Sequence, residues 1–333
     1  MLRVKYEEMF SQFKKVLLSR GLDEERALLC ATLFAQTSLD GVYTHGLNRF
    51  PRFIEAVDSG VVNVNVQAEA YERHGVLERW DGKCGIGNLN AYSAMTRAIE
   101  LAKEGAIGCV AMRNNNHWMR PGAYGLLAAD NDCIGICWTN TLPNMPAWGG
   151  KEPKIGNNPL VIAIPKKGGH VLLDIAMSLF SYGKMETSIL QGKQLPYEGG
   201  FDEQGNLTKD PKAIMKTQQS LPIGYWKGSG LSIMLDLLAA ALSGGNTTRD
   251  IGFLPHETAC SQFFLAIDLS KFPDREKIEE SVQATVADIA ASSPVDPASP
   301  ARYPGAGVLR VRKENTNLGI PVIESVWEKV LSL

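Results

Sequence analysis

The sequence predicts an α/β protein in which an all-helical opening folds onto one large unit of strands and helices that is not a simple doubly wound sheet. Three observations carry this. Up to Gly60 the apolar residues follow only the helical period. From about Ala68 onward strands and helices alternate, but without regular βαβ spacing. The one glycine-rich turn that imitates a dinucleotide fingerprint, Gly85-Ile86-Gly87-Asn88-Leu89-Asn90, has Asn90 where the third glycine belongs. No acidic residue ends the strand that follows; Arg113 and an asparagine run stand there instead. The 333 residues amount to about two domains at ~150 residues each. The pattern divides them instead into a helical part (1–66), an α/β part (67–320) and a C-terminal helix (321–333) that returns to the first.

The elements follow in order. Tyr6, Met9, Phe10, Phe13, Val16 and Leu17 mark a first helix, which Gly21 stops. Asp23 caps a second, carrying Ala27, Ala31, Phe34 and Ala35, and a third runs from about Leu47 to Gly60. Ala68–Arg73 and Val76–Trp80 read as a hairpin around His74-Gly75. A helix from Asn88 to Lys103, a strand Ala106–Met112, a short helix Ala123–Ala129 and a strand Cys133–Thr139 come next. Leu160–Pro165 and Val171–Ile175 form a strand pair turning at Lys166-Lys167-Gly168-Gly169. Helices are expected at Ser178–Leu190 and Leu231–Leu242, then a strand Gln262–Asp268 and a helix Arg275–Ala291. After a loop rich in Ser and Pro (292–300), a last strand Val308–Arg312 and a helix from about Pro321 end the chain.

Composition excludes several classes. With 34 basic and 36 acidic residues the net charge is −2, so no basic excess points to nucleic acid or an anionic membrane. Six cysteines without a CxxC pair are too few for a disulfide scaffold. The longest apolar stretch, Leu231–Leu242, is broken by Ser232 and Asp236 and falls short of the ~20 residues of a membrane span. The N-terminus lacks an apolar signal region. A soluble cytoplasmic protein is expected, with no metal site, since no His or Cys partners stand at ligand spacing.

Candidate chemistry gathers in a few segments. In Tyr43-Thr44-His45-Gly46-Leu47-Asn48-Arg49, His45 and Arg49 are four apart at a helix entrance. An imidazole there can exchange a proton and a guanidinium can clamp a carboxylate. A capping His and a solvated Arg would give the same spacing. Asn114-Asn115-Asn116-His117-Trp118-Met119-Arg120 is a dense polar set at a strand end, where ligands bind in α/β folds, or else a polar turn. Gly224-Tyr225-Trp226-Lys227-Gly228-Ser229-Gly230 before the Leu231 helix suits a phosphate, or serves as a turn. Asp174 ends the apolar run Val171-Leu172-Leu173, as a site carboxylate or a helix cap.

Several segments, in order and at near-constant spacing, resemble the malate/L-lactate dehydrogenase type 2 family over essentially the whole chain. They are YTHGLNRFPRFI (43–54), RNNNHWMRPGAYG (113–125), IGICWTN (134–140), IGNNPL (155–160), MSLFSYGKME (177–186), QLPYEGGFDEQGNLTKDP (194–211) and LPIGYWKGSG (221–230). The resemblance implies a non-Rossmann NAD(P)-dependent dehydrogenase fold with a large mixed, mostly antiparallel sheet and a homodimer with sites near the subunit interface. It implies His45 as proton donor, and cofactor contacts at His170, Val171, Leu172, Leu173, Asp174, Ile175 and Ala176, at Trp226 and Lys227, and at Gly305, Ala306 and Gly307. The expected reaction is reduction of a small sugar-acid substrate by NADH, or NADPH. Asp174 would orient or charge the site, Arg49 or Arg52 would hold the carboxylate, and Asn116, His117 and Asn140 would read keto and hydroxyl oxygens. Lys166, Lys167 and His170 would face either a 2′-phosphate or solvent. A reductase of another 2-keto acid or a cyclic imino acid, and a catalytically silent binding protein, are the alternatives.

Overall fold

The computed structural model describes residues 2–333. The chain opens with β1 (Arg3–Val4), α1 (Tyr6–Ser19) and α2 (Glu24–Leu39), the last capped by Asp23, which accepts from the Arg26 N–H. A 3₁₀ turn (Leu47–Arg49) leads into α3 (Phe50–Asp58). Phe13, Phe34 and Phe50 pack ring on ring at 4.1 and 5.1 Å, and burying each contributes about 1.5–3 kcal/mol. The same core takes in Val322, Trp327 and Val330 from the far end of the chain.

The main sheet has seven strands in the order β2-β3-β4-β12-β5-β8-β9. In chain order these elements are β2 (Glu69–His74), β3 (Leu77–Asp81), α4 (Gly87–Gly105), β4 (Ile107–Asn115), α5 (Gly122–Asp130) and β5 (Cys133–Thr139). Then come β6 (Met145–Pro146), β7 (Pro153–Ile155), β8 (Leu160–Ile164), β9 (Val171–Ile175) and α6 (Tyr182–Leu190). The remainder comprises β10 (Gly200–Phe201), β11 (Leu207–Thr208), α7 (Pro211–Thr217), α8 (Trp226–Ser243), α9 (Thr248–Ile251), β12 (Cys260–Asp268) and α10 (Arg275–Ala290), and last α11 (Val308–Leu318), β13 (Ile320–Pro321) and α12 (Glu324–Leu331). Only β3 and β4 run parallel; every other neighbouring pair in this sheet is antiparallel. The sheet is thus mixed and mostly antiparallel, as expected. Helices α4 and α5 cover one face through Ala94, Met95, Ala98 and Ala128, and α8 covers the other through Leu235 and Ala239. The central strand β12 is buried along most of its length, and its apolar run is Phe263–Ile267, flanked by the buried polar residues Ser261, Gln262 and Asp268.

β3, α4 and β4 form one βαβ crossover, and the fingerprint-like glycines lie in its first turn. A Cβ on Gly87 would stand 2.3 Å from the His117 carbonyl oxygen. The glycine admits the 116–117 backbone, not a pyrophosphate.

Three sequence expectations differ from the structure. Val308–Arg312 is not a strand but the first turn and a half of α11. Five residues with apolar positions 308, 309 and 311 fit either period, and Gly319 with its positive φ ends a helix. Helix α8 starts at Trp226, not Leu231. Gly228 is helical and packed, since a Cβ there would meet the Ile223 carbonyl at 2.0 Å. Helix α6 starts only at Tyr182, because Ser181 caps it and accepts the Lys184 N–H, leaving 178–180 non-helical.

Candidate active site

A cavity of about 770 Å³ opens where the helical part meets the sheet. Its walls come from the α2–α3 loop (Thr44, His45, Arg49), the segment after β4 (His117, Arg120), strand β9 (Leu172, Asp174), helix α6 (Tyr182, Glu186) and the turn before α11 (Gly305, Val308).

The α2–α3 loop is pinned to α2. The Leu47 N–H donates to Ser38 Oγ at 2.8 Å, and a Cβ on Gly46 would lie 2.2 Å from that oxygen. Glycine at 46 therefore lets the loop close down and fixes His45 beside it. The His45 Nδ1 lies 3.0 Å from Thr44 Oγ1, and its ring stacks near parallel on His117, centroids 6.1 Å apart. Burial, then the Arg49 and Arg120 charges, pull the His45 pKa down to about 4. The imidazole is neutral at pH 7 while the cavity holds no anion.

The His117 pKa is likewise held well below the ordinary imidazole value, by burial first and then by Arg49, His45 and Arg52. Its Nδ1 accepts the Met119 N–H at 3.1 Å. A neutral ring with that bond carries its proton on Nε2, so His117 is a fixed donor where His45 is a titrating group.

Arg49 and Arg52 reach the cavity without an ion pair or hydrogen bond to any described residue. Burial lowers the pKa of Arg49, as does Arg52, and Glu257 and Glu186 offset this only at a distance. A different pair of arginines is ion-paired. Arg120, only 3% exposed, donates to Asp40, and Arg312 donates to the same carboxylate at 2.6 and 3.1 Å. Burial alone would raise the Asp40 pKa, but Arg312 and Arg120 overcome it and hold the carboxyl ionised. Arg120 keeps one buried N–H, on Nε, without a partner.

Asp174 accepts the Gly122 N–H at 2.9 Å. It lines the cavity and keeps an accessible surface there, and desolvation raises its pKa against the opposing pull of Arg120 and Gly122. Asn116 and Asn140 were expected to read substrate oxygens, but both amides are engaged. Asn116 donates to the Val61, Cys84 and Gly85 carbonyls and accepts from Thr258. Asn140 donates to Asp236 and the Asn246 carbonyl and accepts the Ser261 N–H. Asn116 braces the segment that carries His117, and Asn140 ties the end of β5 to α8 and to the start of β12.

Of the candidate cofactor segments, 170–176 and 305–307 come together. Leu172 donates to the Pro304 carbonyl, and a Cβ on Gly305 would stand 2.9 Å from the Leu172 nitrogen. Beside them α11 begins with no side-chain cap at Gly307 and open space around it. Free N–H groups at this end suit a pyrophosphate, and the apolar and Asp174-bearing wall of β9 suits a flat ring, so the residues fit a dinucleotide. Val171, Leu173 and Ile175 alternate with Leu172 and Asp174 along β9 and are half-buried, and Ala176 lines the cavity. His170 is held by Asp130 at 2.8 Å and accepts the Lys166 N–H, locking the β8–β9 turn. Trp226 and Lys227 do not join this cavity. Trp226 is 64% exposed, with the Lys227 ammonium 5.9 Å from its ring.

Sequence reasoning missed Arg120, Glu186, Glu257 and Tyr182 as cavity residues. Arg120 sat inside a quoted motif, but its partner Asp40 is 80 positions away, and no local spacing reports such a pair. Among the described residues, no group of three or more His, Cys, Asp or Glu is arranged to hold a metal ion, and no helix is long and apolar enough to cross a membrane.

A family model described as malate/L-lactate dehydrogenase matches residues 4–331. Proteins named 2,3-diketo-L-gulonate reductase from Escherichia coli and Citrobacter koseri are each 45% identical over 333 residues, covering 100% of both chains. Among solved structures, malate dehydrogenase from Entamoeba histolytica superposes with a TM-score of 0.94 at 26% identity, over 99% of this chain and 97% of that one. Malate dehydrogenase from Pyrococcus horikoshii gives 0.88 at 30% identity, over 98% and 93%. The chain belongs to the malate/L-lactate dehydrogenase family.

Proposed function

We propose that the protein is an NAD(P)H-dependent reductase that converts 2,3-diketo-L-gulonate to 3-keto-L-gulonate. The observation that carries this is that His45, with one ring nitrogen free, shares a cavity with two arginines that have no anionic partner. Full-length relatives named for that reaction supply the substrate.

When bound, the nicotinamide supplies the hydride, and preference between NADH and NADPH is open to the same assay. The substrate carboxylate sits between Arg49 and Arg52. Its negative charge offsets the arginine field that depresses His45 and draws a proton onto the imidazole. As the carbonyl carbon gains the hydride, the C=O π pair moves to oxygen and takes that proton from His45. His45 ends neutral, its resting state. His117 donates a fixed hydrogen bond to a substrate oxygen. Asp174 faces the same cavity and orients the nicotinamide.

The active form is a cytoplasmic homodimer. All six cysteines are free thiols, which suits a reducing compartment. The outer face of α8 exposes Leu231, Met234, Leu237 and Leu238, next to exposed Trp148, Tyr225 and Trp226. An apolar face of this kind marks an association surface, and a second copy seated there brings Trp226 and Lys227 into enclosed surroundings.

The test is loss of absorbance at the nicotinamide band with NADH or NADPH and 2,3-diketo-L-gulonate. Turnover is expected. Cofactor binding without turnover on this or any 2-keto or cyclic imino acid would make the chain a silent binding protein. Sedimentation of wild type and Leu237→Glu reads the dimer; a monomeric wild type would remove it.

A further inference from the structure

We infer that a second chamber, branching from the main cavity, seats the polyhydroxy tail of the substrate, and that Glu257 reads the tail's hydroxyls. This rests on the reductase reading above.

The chamber has a volume of about 380 Å³ and lies between α3 and the 256–257 segment, within the size range of small-ligand pockets. Arg49, Arg52, His117 and Glu257 line both spaces. They form the neck between them. A keto acid held by its carboxylate at Arg49, with its carbonyl at His45, lies beside this neck, and the adjoining chamber past His117 gives a longer carbon chain room.

The lining matches a chain that alternates C–H and O–H groups. Phe53, Ala56, Val62 and Met119 give an apolar side, while Ser59 and Glu257 give a polar one. Glu257 is half-buried and makes no ion pair or hydrogen bond to any described residue. It influences Arg49 only through space. Its carboxylate is an acceptor without a donor, which is what a hydroxyl supplies. The neighbouring Thr258 hydroxyl donates to Asn116 at 2.7 Å, so the segment carrying Glu257 is anchored to the loop that carries His117. A three-carbon keto acid leaves the chamber to water; a six-carbon sugar acid fills it. A site built to hydrogen-bond a hydroxyl discriminates against analogues that lack it.

The experiment compares wild type, Glu257→Ala and Glu257→Gln in two readouts. The first is kcat/KM on 2,3-diketo-L-gulonate and on pyruvate. The preference for the six-carbon substrate should fall about 10- to 100-fold in Glu257→Ala, the range for a hydrogen bond to a charged group, and by less in Glu257→Gln. The second is calorimetric binding of L-gulonate and of L-lactate, which needs no turnover. Gulonate should weaken by a similar factor and lactate by much less. Equal losses for long and short ligands, or no loss for either, would overturn the chamber assignment. Glu257-dependent gulonate binding in a protein that reduces no keto acid would instead keep the chamber and discard the reductase reading.

Discussion

Two pairs of arginines lie within one turn of backbone of the cavity, and they differ in one respect. Arg120 and Arg312 converge on the buried Asp40 carboxylate and saturate it. Arg49 and Arg52 form no ion pair with any described residue, and Glu257 and Glu186 act on Arg49 only through space. Burying a cation is unfavourable unless it is paired. The first pair therefore holds the fold, tying α2, the segment after β4 and α11 together at one point. Of the second pair Arg52 is exposed and Arg49 is half-buried; burial lowers the pKa of Arg49, so its charge is the one an arriving anion would relieve. Paired charge marks structure here, and unpaired charge marks the ligand.

The sharpest way to break this contrast is Asp40→Ala. It leaves Arg120 buried without its anion, a change that destabilises by about 3–5 kcal/mol, read as a lower midpoint in urea unfolding. His45→Gln comes next. Removing the proton donor should lower kcat about 100-fold or more with the unfolding midpoint little changed, measured by steady-state NADH oxidation. The pH profile sharpens the unpaired side. Free His45 has its pKa pulled down to about 4, and reduction needs its protonated form. Thus kcat/KM for reduction should fall about tenfold per pH unit above that value. Arg49→Met removes one of the depressing charges, so the falling limb should move to higher pH in that variant. The smallest effect is on stability in acid. The folded pKa of His45 lies below the ordinary value near 6.5, so the unfolded state binds the extra proton first. Stability is complete above that ordinary value and declines as pH falls toward 4. His45→Gln should lose less stability than wild type across that window, by urea titration at several pH values.

What was legible in the sequence was local. His45 and Arg49 are four apart, and a helix entrance brings both to one side; the cavity contains both. The 170–176 and 305–307 segments, which the family resemblance names for the cofactor, pack against each other. Contacts of long separation left no trace. Asp40, Arg120 and Arg312 are joined across 80 and 272 positions, and each alone reads as a solvated charge. Residue type also says nothing of prior engagement. Asn116 and Asn140 look like readers of substrate oxygens, yet backbone groups and neighbouring side chains use up both amides. The misread strand at Val308–Arg312 has the same root, since five residues cannot separate a period of two from one of 3.6. The sequence reading placed no helix at 211–217, yet α7 begins at Pro211, with Asp210 accepting the Lys212 N–H.

The central claim is that Arg49 serves the ligand and Arg120 serves the fold. Parallel measurement of thermal midpoint and KM in Arg49→Met and Arg120→Met tests it directly. The account predicts that Arg49→Met keeps or raises Tm while KM for the keto acid climbs, and that Arg120→Met lowers Tm because Asp40 loses a buried partner. An Arg49→Met protein with lowered Tm and unaltered KM would contradict it.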